Sequence, residues 1–361
     1  MLSYIIKRIA IAVPLLLVIL LSSFLLLYAL PGDAVSTRLG KNYTQAQADQ
    51  IRKQEGLDKP LYVQFARYIA QTCRGDFGIN IHNQPVSAQL KKRLPATIEL
   101  AGLAILIATL VGVTGGIISA LKPRGWTDMG TLSLTLAGVS MPIFFLALLA
   151  QKAFKTTGWI PNLLGTQGLP LGGRLSNAIT TANDKLQLQA TLIDNAPLPI
   201  THFHLYDALF VFQDFPMLLD AINHLILPAT VLATVPTAII LRITRTAMGQ
   251  QLSQDYIRTA KAKGLKNRTI LTKHALRNAL IPIITTIGTQ LGYLLGGAVL
   301  TETIFSWPGM GTYIVQAILN SDSRALQASV LIIAVGFITL NLLIDLSYAI
   351  LDPRIKTQGL Q

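Results

Sequence analysis

Two histidines are the first residues of this sequence whose types could support chemistry. His202 and His204, in "THFH", stand two residues apart with Asp207 close behind, and all three are metal-ligand types. Two imidazoles at that spacing point the same way only on a strand, and zinc sites use three or four protein ligands. The sequence secures no third ligand, so we interpret the pair as solvated histidines and predict no metal site.

Acids at the ends of apolar runs are the next candidates. Glu302 lies at one end of a long apolar run and Asp345 near the end of another. Acids inside a membrane are costly and usually functional, although the cost falls near the interface. Glu302 is therefore a candidate gate residue that would meet a cationic group, and the alternative is a structural helix end. Trp307, in "SWPGMG", is either a second gate element or an interface anchor.

Motifs for catalysis are missing from the sequence. It contains no G-x-x-x-x-G-K-[ST] loop, and "LGKN" at Leu39 has neither the spacing nor the Ser or Thr. It also contains no G-x-S-x-G elbow and no H-E-x-x-H. The single Cys73 excludes an intramolecular disulfide and any multi-cysteine metal site. We therefore predict no catalytic residue, no cofactor and no ATP binding by this chain alone.

The most charged segment is "DYIRTAKAKGLKNRTILTKHALRNALIP", residues 255–282. It carries seven Lys or Arg and one acid, between long uncharged runs. A helix is predicted over Gln254–Lys263, with Ser253 as its N-cap and Gly264 as its stop. Asn267 would cap a second helix that continues into the next apolar run.

One face of the first predicted helix is apolar and the other is basic. Tyr256, Ala260 and Leu265 would form a narrow apolar stripe. The basic residues beside it are Arg258, Lys261 and Lys263. Small residues at 260, 262 and 264 would let another surface approach closely.

Three interpretations of this segment compete. It is a basic interfacial helix lying on anionic lipid, a helix-turn-helix for nucleic acid, or a docking element for a cytoplasmic partner that moves the neighbouring span. Only about 25 residues lie between the membrane ends of the flanking spans, which leaves no room for the three-helix core of a DNA-binding domain. We therefore predict no nucleic-acid partner and keep lipid and protein docking as alternatives.

Composition indicates that these segments sit in a bilayer. Of 361 residues, 51% are hydrophobic and 13% charged, and the mean hydropathy is +0.50. Soluble domains carry about 25% charged residues. A net charge of +13 suits an anionic membrane surface.

A membrane-crossing helix needs about 20 apolar residues, and six runs in the sequence are that long. They are Ile9–Leu30, Leu100–Leu121, Gly130–Gln151, Ala221–Leu241, Asn278–Thr301 and Ala325–Ile344. The first run is longer than the about 7–15 residues of a signal-peptide core, so we expect an uncleaved span. The fold class predicted is thus an all-α integral membrane protein with six transmembrane helices.

Positive charge sets the predicted topology. Basic residues flank the runs at Lys7, Arg8, Lys122, Arg124, Arg354 and Lys356. Six spans place all of them, with the 242–277 loop, on one side, so both termini are predicted to be cytoplasmic. The opposite segment 31–96 carries ten basic residues against five acids, but it exceeds the about 60 residues over which the rule applies.

Glycines at helical spacing indicate close helix packing. Gly288, Gly292 and Gly296 recur every four residues and therefore share one face, which favours contact within the chain or with a second subunit. Residues 112–116, "GVTGG", offer a similar face on the second span. The alternative is that glycine is simply common in membrane helices.

The basic segment also resembles a known family. "DYIRTAKAKGL" and "HALRNALIP" are similar to the cytoplasmic coupling loop of binding-protein-dependent ABC importer permeases, in particular the B-type subunit of the dipeptide/oligopeptide family. Further matches are "PGD" at 31–33, "GLDKP" at 56–60, "GDFG" at 75–78, "GVSMPIFF" at 138–145, "LTETIFSWPGMG" at 300–311 and "DPRIK" at 352–356. Nothing recognisable falls in 156–215. The wider superfamily has Glu-Ala-Ala where this chain has Arg258-Thr259-Ala260, although Gly264 keeps its spacing.

The resemblance implies a type I ABC importer permease fold. Its organisation would be a first span in 1–30, an extracytoplasmic loop in 31–96, a permease core in 97–353 and a tail in 354–361. The core would contain spans near 100–121, 130–151, 221–241, 278–301 and 325–350, an extracytoplasmic insert in 152–220 and a cytoplasmic coupling loop in 242–277.

The resemblance also implies partners and site residues. The ATPase-coupling residues would be Asp255, Tyr256, Arg258, Ala260, Lys261, Lys263, Gly264 and Leu265. The partners would be a homologous second permease subunit, two ATP-binding-cassette ATPases that hydrolyse ATP, an extracytoplasmic peptide-binding protein and membrane lipid. The location implied is the bacterial cytoplasmic (inner) membrane.

Two alternatives to dipeptide or short oligopeptide cargo stay open. Permeases for nickel, haem, glutathione and cationic peptides share the pattern. A non-transporting membrane scaffold whose basic loop binds anionic lipid also fits the composition.

Overall fold

The computed structural model describes residues 2–29, 44–56, 58–164, 168–176, 179 and 200–351. Within these ranges the chain is helical, and its only β feature is an isolated antiparallel bridge between Ile79 and Pro85. The predicted "PGD" match, the 354–361 tail and residues 180–199 of the insert lie outside the described residues. The described chain divides into two compact units, one from 1–97 and 308–339 and the other from 98–307 and 340–361.

The first unit contains mainly helices from the two ends of the chain. They are α1 (Leu2–Ala29), α2 (Gln45–Glu55), α3 (Leu61–Cys73), the first turns of α4 (Val86–Leu121), α14 (Met310–Leu319) and most of α15 (Ser323–Leu351). Ser23 in α1 and Gln327 in α15 bond each other's backbone, with Ser23 Oγ to Gln327 O at 3.1 Å and Gln327 Nε2 to Ser23 O at 3.0 Å. These bonds fix α1 against α15.

The core of the first unit joins the start of α4 to α14. Val86 and Leu90 pack against Met310 and Ala317 in one buried cluster. Thr97 adds a directional contact, because its hydroxyl accepts the backbone N–H of Met310 at 2.8 Å. Segments more than 200 residues apart in sequence are therefore held together here.

The second unit contains the remaining helices and the last turns of α15. They are the rest of α4, α5 (Trp126–Ser140), α6 (Ile143–Phe154), α7 (Trp159–Leu164), α8 (His204–Tyr206), α9 (Phe215–Leu252), α10 (Asp255–Ala262), α11 (Asn267–Thr269), α12 (Arg277–Gly297) and α13 (Val299–Ile304). Two π-helical segments interrupt the series, at Asp207–Val211 and Ile270–Leu276. α9 runs unbroken for 38 residues through Pro228 and Pro236.

Glycines bring α4 and α9 into close contact. A Cβ added at Gly116 would lie 2.8 Å from the carbonyl oxygen of Leu241, and one at Gly112 would lie 3.1 Å from that of Thr237. Only glycine permits backbones to approach so closely. The predicted packing face at 112–116 therefore contacts α9.

A buried carboxylate joins three elements at one end of this helix pair. Asp128 in α5 accepts Arg245 Nε at 2.6 Å and Arg245 Nη2 at 2.8 Å, and Arg245 belongs to α9. It also accepts the Ser119 hydroxyl and the backbone N–H of Arg124. A bidentate guanidinium–carboxylate pair is geometrically specific, so it fixes the α4–α5 turn on α9.

Four helical segments are long and apolar enough to cross a membrane, among the residues described. They are Val86–Leu121, Phe215–Leu252, Asn267–Gly296 and Ser323–Ser347. Beside them, α1 (Leu2–Ala29) runs for 28 residues and contains the apolar stretch Ala10–Leu25. These segments agree with four of the six predicted spans.

The third predicted span, Gly130–Gln151, is not one helix. α5 ends at Ser140, α6 begins at Ile143, and the two are bent by 102°. The cause is Pro142, which disfavours helical backbone at the preceding residue, and Met141 accordingly has ψ 127°. The pair counts as a fifth crossing only if the two bent helices together make one.

Candidate functional site

The predicted loop helix is present as α10 and ends as the sequence indicated. Gly264 has φ +73° and donates its N–H to Lys261 O at 2.9 Å, and Leu265 N–H reaches Ala260 O at 3.3 Å. These two bonds define a Schellman motif, which satisfies the last carbonyls of a helix. The predicted start was wrong. Ser253 ends α9 and bonds Gln250 O, while Gln254 precedes α10 without a side-chain cap.

One face of α10 is buried in the chain's own core. Ile257 and Ala260 are 0% and 6% exposed and pack with Met248 of α9 and with Ile270 and Ala275 of the π-helical segment. The apolar stripe thus centres on Ile257 and Ala260 rather than on Tyr256 and Leu265, which are exposed. The difference follows from the docking of α10 on α9, which the local pattern did not indicate.

The other face of α10 is exposed and basic, and we call it the docking surface. Its exposed residues are Asp255, Tyr256, Arg258, Thr259, Lys261, Ala262, Lys263, Gly264, Leu265 and Lys266. Arg258 pairs with Asp255 at 3.3 Å, but both side chains are mostly in solvent, so the pair adds little stability. A Cβ at Gly264 would meet no atom within 4 Å, so space beside it is open.

Tyr256 links the docking surface to the next helix. Its hydroxyl accepts Asn278 Nδ2 at 3.1 Å and donates to Gln251 Oε1 at 2.8 Å. Asn278 lies in the first turn of α12, and Gln251 lies in the last turn of α9. α10 is therefore fixed to two membrane-length helices by a polar contact and by the Ile257–Ala260 core.

The three predicted packing glycines lie in different environments. A Cβ at Gly288 would come within 2.2 Å of Ile344 Cδ1, so α12 approaches α15 closely at that point. Gly292 is buried, whereas a Cβ at Gly296 would meet nothing within 4 Å. Only the first part of this face contacts the chain's own helices closely.

Glu302 and Trp307 are both buried, at 0% and 2% exposed. The backbone N–H of Trp307 donates to Glu302 O at 2.7 Å, which closes the turn after α13. Trp307 also faces Arg174, whose guanidinium lies 5.6 Å from the indole ring centroid. This burial leaves Trp307 no surface for an interface anchor.

Arg174 belongs to a buried polar cluster that no sequence pattern indicated. It pairs with Glu99 of α4, and its Nη2 donates to His202 O at 3.0 Å. Glu99 also accepts the backbone N–H of Leu205 at 2.9 Å. The signal available was an isolated acid and an isolated arginine 75 positions apart, which local patterns do not connect.

The histidine candidates lie beside this cluster. His204 is partly buried, and its Nδ1 has no hydrogen-bond partner among the described atoms. Asp207 Oδ1 accepts the backbone N–H and the hydroxyl of Thr201, at 3.0 and 2.7 Å. Among the described residues no group of three His, Cys, Asp or Glu could hold a metal ion.

With this geometry described, comparison with known proteins identifies the family. Residues 112–357 match the model of the binding-protein-dependent transport system inner membrane component. Residues 1–101 match that of the N-terminal region of the same membrane component. The chain belongs to this family.

Full-length relatives support the same assignment. The chain is 38% identical over 361 residues to a dipeptide transport system permease protein of Alkalihalophilus pseudofirmus, covering 99% of this chain and 100% of the relative. It is 42% identical over 360 residues to one from Haemophilus influenzae, with the same coverage. A di/tripeptide transport system permease protein of Pseudomonas aeruginosa is 39% identical over 362 residues, again covering 99% and 100%.

These matches confirm the resemblance that the loop and the scattered motifs indicated. The relatives are permease proteins, so this chain is a transport subunit and not an enzyme. The family description places it in a membrane, in agreement with its several spanning-length helices.

Proposed function

We propose that this chain is a permease subunit of an ATP-driven importer for dipeptides or short oligopeptides. The observation that carries the proposal is identity of 38–42% with dipeptide and di/tripeptide permeases along nearly the whole chain. The docking surface supports the ATP-driven part, because it is a basic helix fixed rigidly to two membrane-length helices. The chain would line half of the pathway, and a homologous subunit would line the other half.

ATPase subunits are the proposed partners of the docking surface. Its exposed cations, Arg258, Lys261 and Lys263, would meet acidic or carbonyl groups in a groove of the ATPase. Gly264 and Leu265 would lie at the closest approach. Ala260 and Ile257 would act from the inner face, because they hold α10 on its own core. ATP-driven closure of two ATPases would then move α10 and, through Tyr256, the start of α12.

The proposed topology has six spans with both termini in the cytoplasm of a bacterium. Four spanning-length helices and the bent α5–α6 pair support five crossings, and α1 would supply the sixth. Segments 31–96 and 152–220 would then face outward, where a peptide-binding protein delivers cargo. The permease core would comprise 97–353. Glu302 and Trp307 would stand at the outer gate, and their burial is consistent with a closed state.

Three substitutions at one position test the coupling. Gly264→Trp adds bulk where the chain itself has open space, but φ +73° strains any ordinary side chain, so Gly264→Ala, which carries the strain without the bulk, is tested beside it. Gly264→Asn is the matched control, because asparagine tolerates the left-handed backbone that φ +73° requires. We expect Gly264→Trp to reduce dipeptide uptake by about tenfold or more and to lose co-purifying ATPases, while Gly264→Asn keeps both.

A membrane scaffold would give the opposite result. Its basic loop would bind anionic vesicles equally in all three variants, and no ATPase would co-purify with wild-type protein.

Uptake of labelled dipeptide in competition with nickel, haem, glutathione or a cationic peptide identifies the cargo separately. Transport of one of those alternatives, with no dipeptide uptake that excess unlabelled dipeptide competes away, would overturn the peptide assignment and leave the importer assignment intact.

A further inference from the structure

A polar pocket lies in the unit formed by 1–97 and 308–339. Its walls are the turn at 79–85, the first turns of α4, the helix α14 and the start of α15. The pocket is partly open and has a volume of about 80 Å³. Since a water molecule occupies about 30 Å³ of liquid, the pocket has room for a few waters or for one group of carboxylate size.

Tyr313 carries a buried donor at the pocket wall. The residue is 6% exposed, and its hydroxyl has no hydrogen-bond partner of normal geometry among the described atoms, although the Asn80 side chain lies near enough to interact with it. Burial, followed by the charge of Asp322, raises the pKa of Tyr313 above its usual value. The hydroxyl is therefore protonated at neutral pH and lacks only an acceptor.

Arg93 adds a positive charge to the same wall. Its guanidinium lies 4.7 Å from the centroid of the Tyr313 ring, and Nη2 donates to Gln316 Oε1 at 3.5 Å. Stacking over the ring fixes the planar head, whose N–H donors lie in one plane. Arg93 and Tyr313 thus present two kinds of donor to one small volume.

Among the described residues that line the pocket the acid is Asp322, and backbone donors already engage it. Its Oδ1 accepts Ala325 N–H and its Oδ2 accepts Ile81 N–H, both at 3.1 Å. It also stands directly before α15, where the helix dipole offsets its negative charge. Asp322 therefore organises the wall and does not supply a binding site for a cation.

We propose that this pocket binds a carboxylate group, which accepts from the Tyr313 hydroxyl and the Arg93 guanidinium. The carboxylate belongs either to a small free acid, such as a peptide with its own C-terminus, or to an acidic side chain of a docked polypeptide. The positive surroundings fit either source, since Lys91 and Lys92 are exposed beside Arg93 and segment 31–96 carries ten basic residues against five acids. The proposal does not depend on the peptide cargo proposed above.

Acetate and acetamide are the probes that test this chemistry. They are of similar size and differ in charge, so purified full-length chain in detergent is titrated with each at constant ionic strength. We expect a saturable rise in melting temperature with acetate and none with acetamide. Equal shifts with both, or no saturable shift with acetate, would overturn the proposal.

Variants of the two donors place the effect in the pocket. Tyr313→Phe removes an unsatisfied buried hydroxyl, so the unliganded protein should melt at the same or a higher temperature. We expect Tyr313→Phe and Arg93→Gln each to weaken the acetate dependence by about tenfold or more. The matched controls Tyr62→Phe and Lys92→Gln alter exposed groups of the same kind and should respond as wild type. A wild-type response of Tyr313→Phe and Arg93→Gln contradicts the site.

Two further probes distinguish the sources of the carboxylate. A saturable shift with alanyl-alanine but not with its C-terminal amide assigns the site to free peptides. A shift with a terminally blocked peptide containing Glu, but not with its Gln counterpart, assigns it to the side chain of a polypeptide. Failure of every carboxylate probe in wild-type protein refutes the proposal, whereas uptake assays on Gly264 variants would be unaffected by that failure.

Discussion

Arg174 connects three separate parts of the second unit, and no sequence pattern indicated these contacts. It pairs with Glu99 of α4, donates to the backbone of His202 and stacks on Trp307 after α13. Both members of the ion pair are almost fully buried, with side chains 5% and 7% exposed. A buried charge is tolerable only while it is paired, so this contact holds the segment 168–176 in place.

Removing one member of this pair should lower the stability of the protein much more than removing both. Arg174→Met leaves Glu99 as an uncompensated buried charge and is expected to cost about 3–5 kcal/mol of stability. The double variant Glu99→Gln with Arg174→Met should recover most of that loss. Thermal unfolding of the purified protein measures both. A double variant that is less stable than Arg174→Met alone would show that the pair does not act as a unit.

His204 makes stability depend on pH in the acid range. Burial, then the positive charge of Arg174 and the neighbouring His202, lower its pKa from about 6.5 to about 3. The unfolded state therefore binds more protons between those values, and the stability present above pH 6.5 is lost as the pH falls towards 3. His204→Gln should reduce the dependence of the melting temperature on pH over this window, whereas Tyr206→Phe should keep the wild-type dependence. Parallel curves for His204→Gln and wild type would contradict the assignment.

At the scale of the helix, two glycines of α4 form a matched pair. A Cβ at Gly116 would meet the Leu241 carbonyl oxygen at 2.8 Å and Thr244 Cβ at 2.6 Å, whereas one at Gly102 would meet nothing within 4 Å. We expect Gly116→Ala to destabilise the protein by about 1–3 kcal/mol through overpacking. Gly102→Ala should be neutral or stabilising by up to about 1 kcal/mol, because alanine favours helix. Equal melting temperatures for the two variants would refute close α4–α9 contact.

The sequence was most informative for elements whose determinants are local. Gly264 indicated the end of α10 because a left-handed C′ residue is a short-range requirement, and the apolar runs indicated the long helices. The break at Met141–Pro142 also had a local signal, the proline, but uncharged composition over Gly130–Gln151 outweighed it. Contacts such as Glu99–Arg174 and the inner face of α10 depend on which helices meet, and no local pattern contains that information.

At the scale of the whole molecule, the proposed topology makes Cys73 a natural probe. Cys73 is exposed and is the only cysteine of the chain, in the segment proposed to face outward. A membrane-impermeant maleimide should label it in intact spheroplasts. In a Cys73→Ser background, Asn267→Cys beside the docking surface should react only after the membrane is made permeable. Labelling of Asn267→Cys but not of Cys73 in intact cells would invert the topology.

The length of α9 gives the molecule a lever. Its 38 residues span about 57 Å at about 1.5 Å per residue, nearly twice the about 30 Å of a hydrocarbon core. Such a rod amplifies angle into distance, because a pivot of about 10° at one tip sweeps the other through about 10 Å. α10 is attached at the tip where α9 ends, at Leu252. A motion that the proposed ATPase imposes on this end would therefore become smaller towards the pivot. Deep in the bilayer α9 would move by a shorter distance and with greater force.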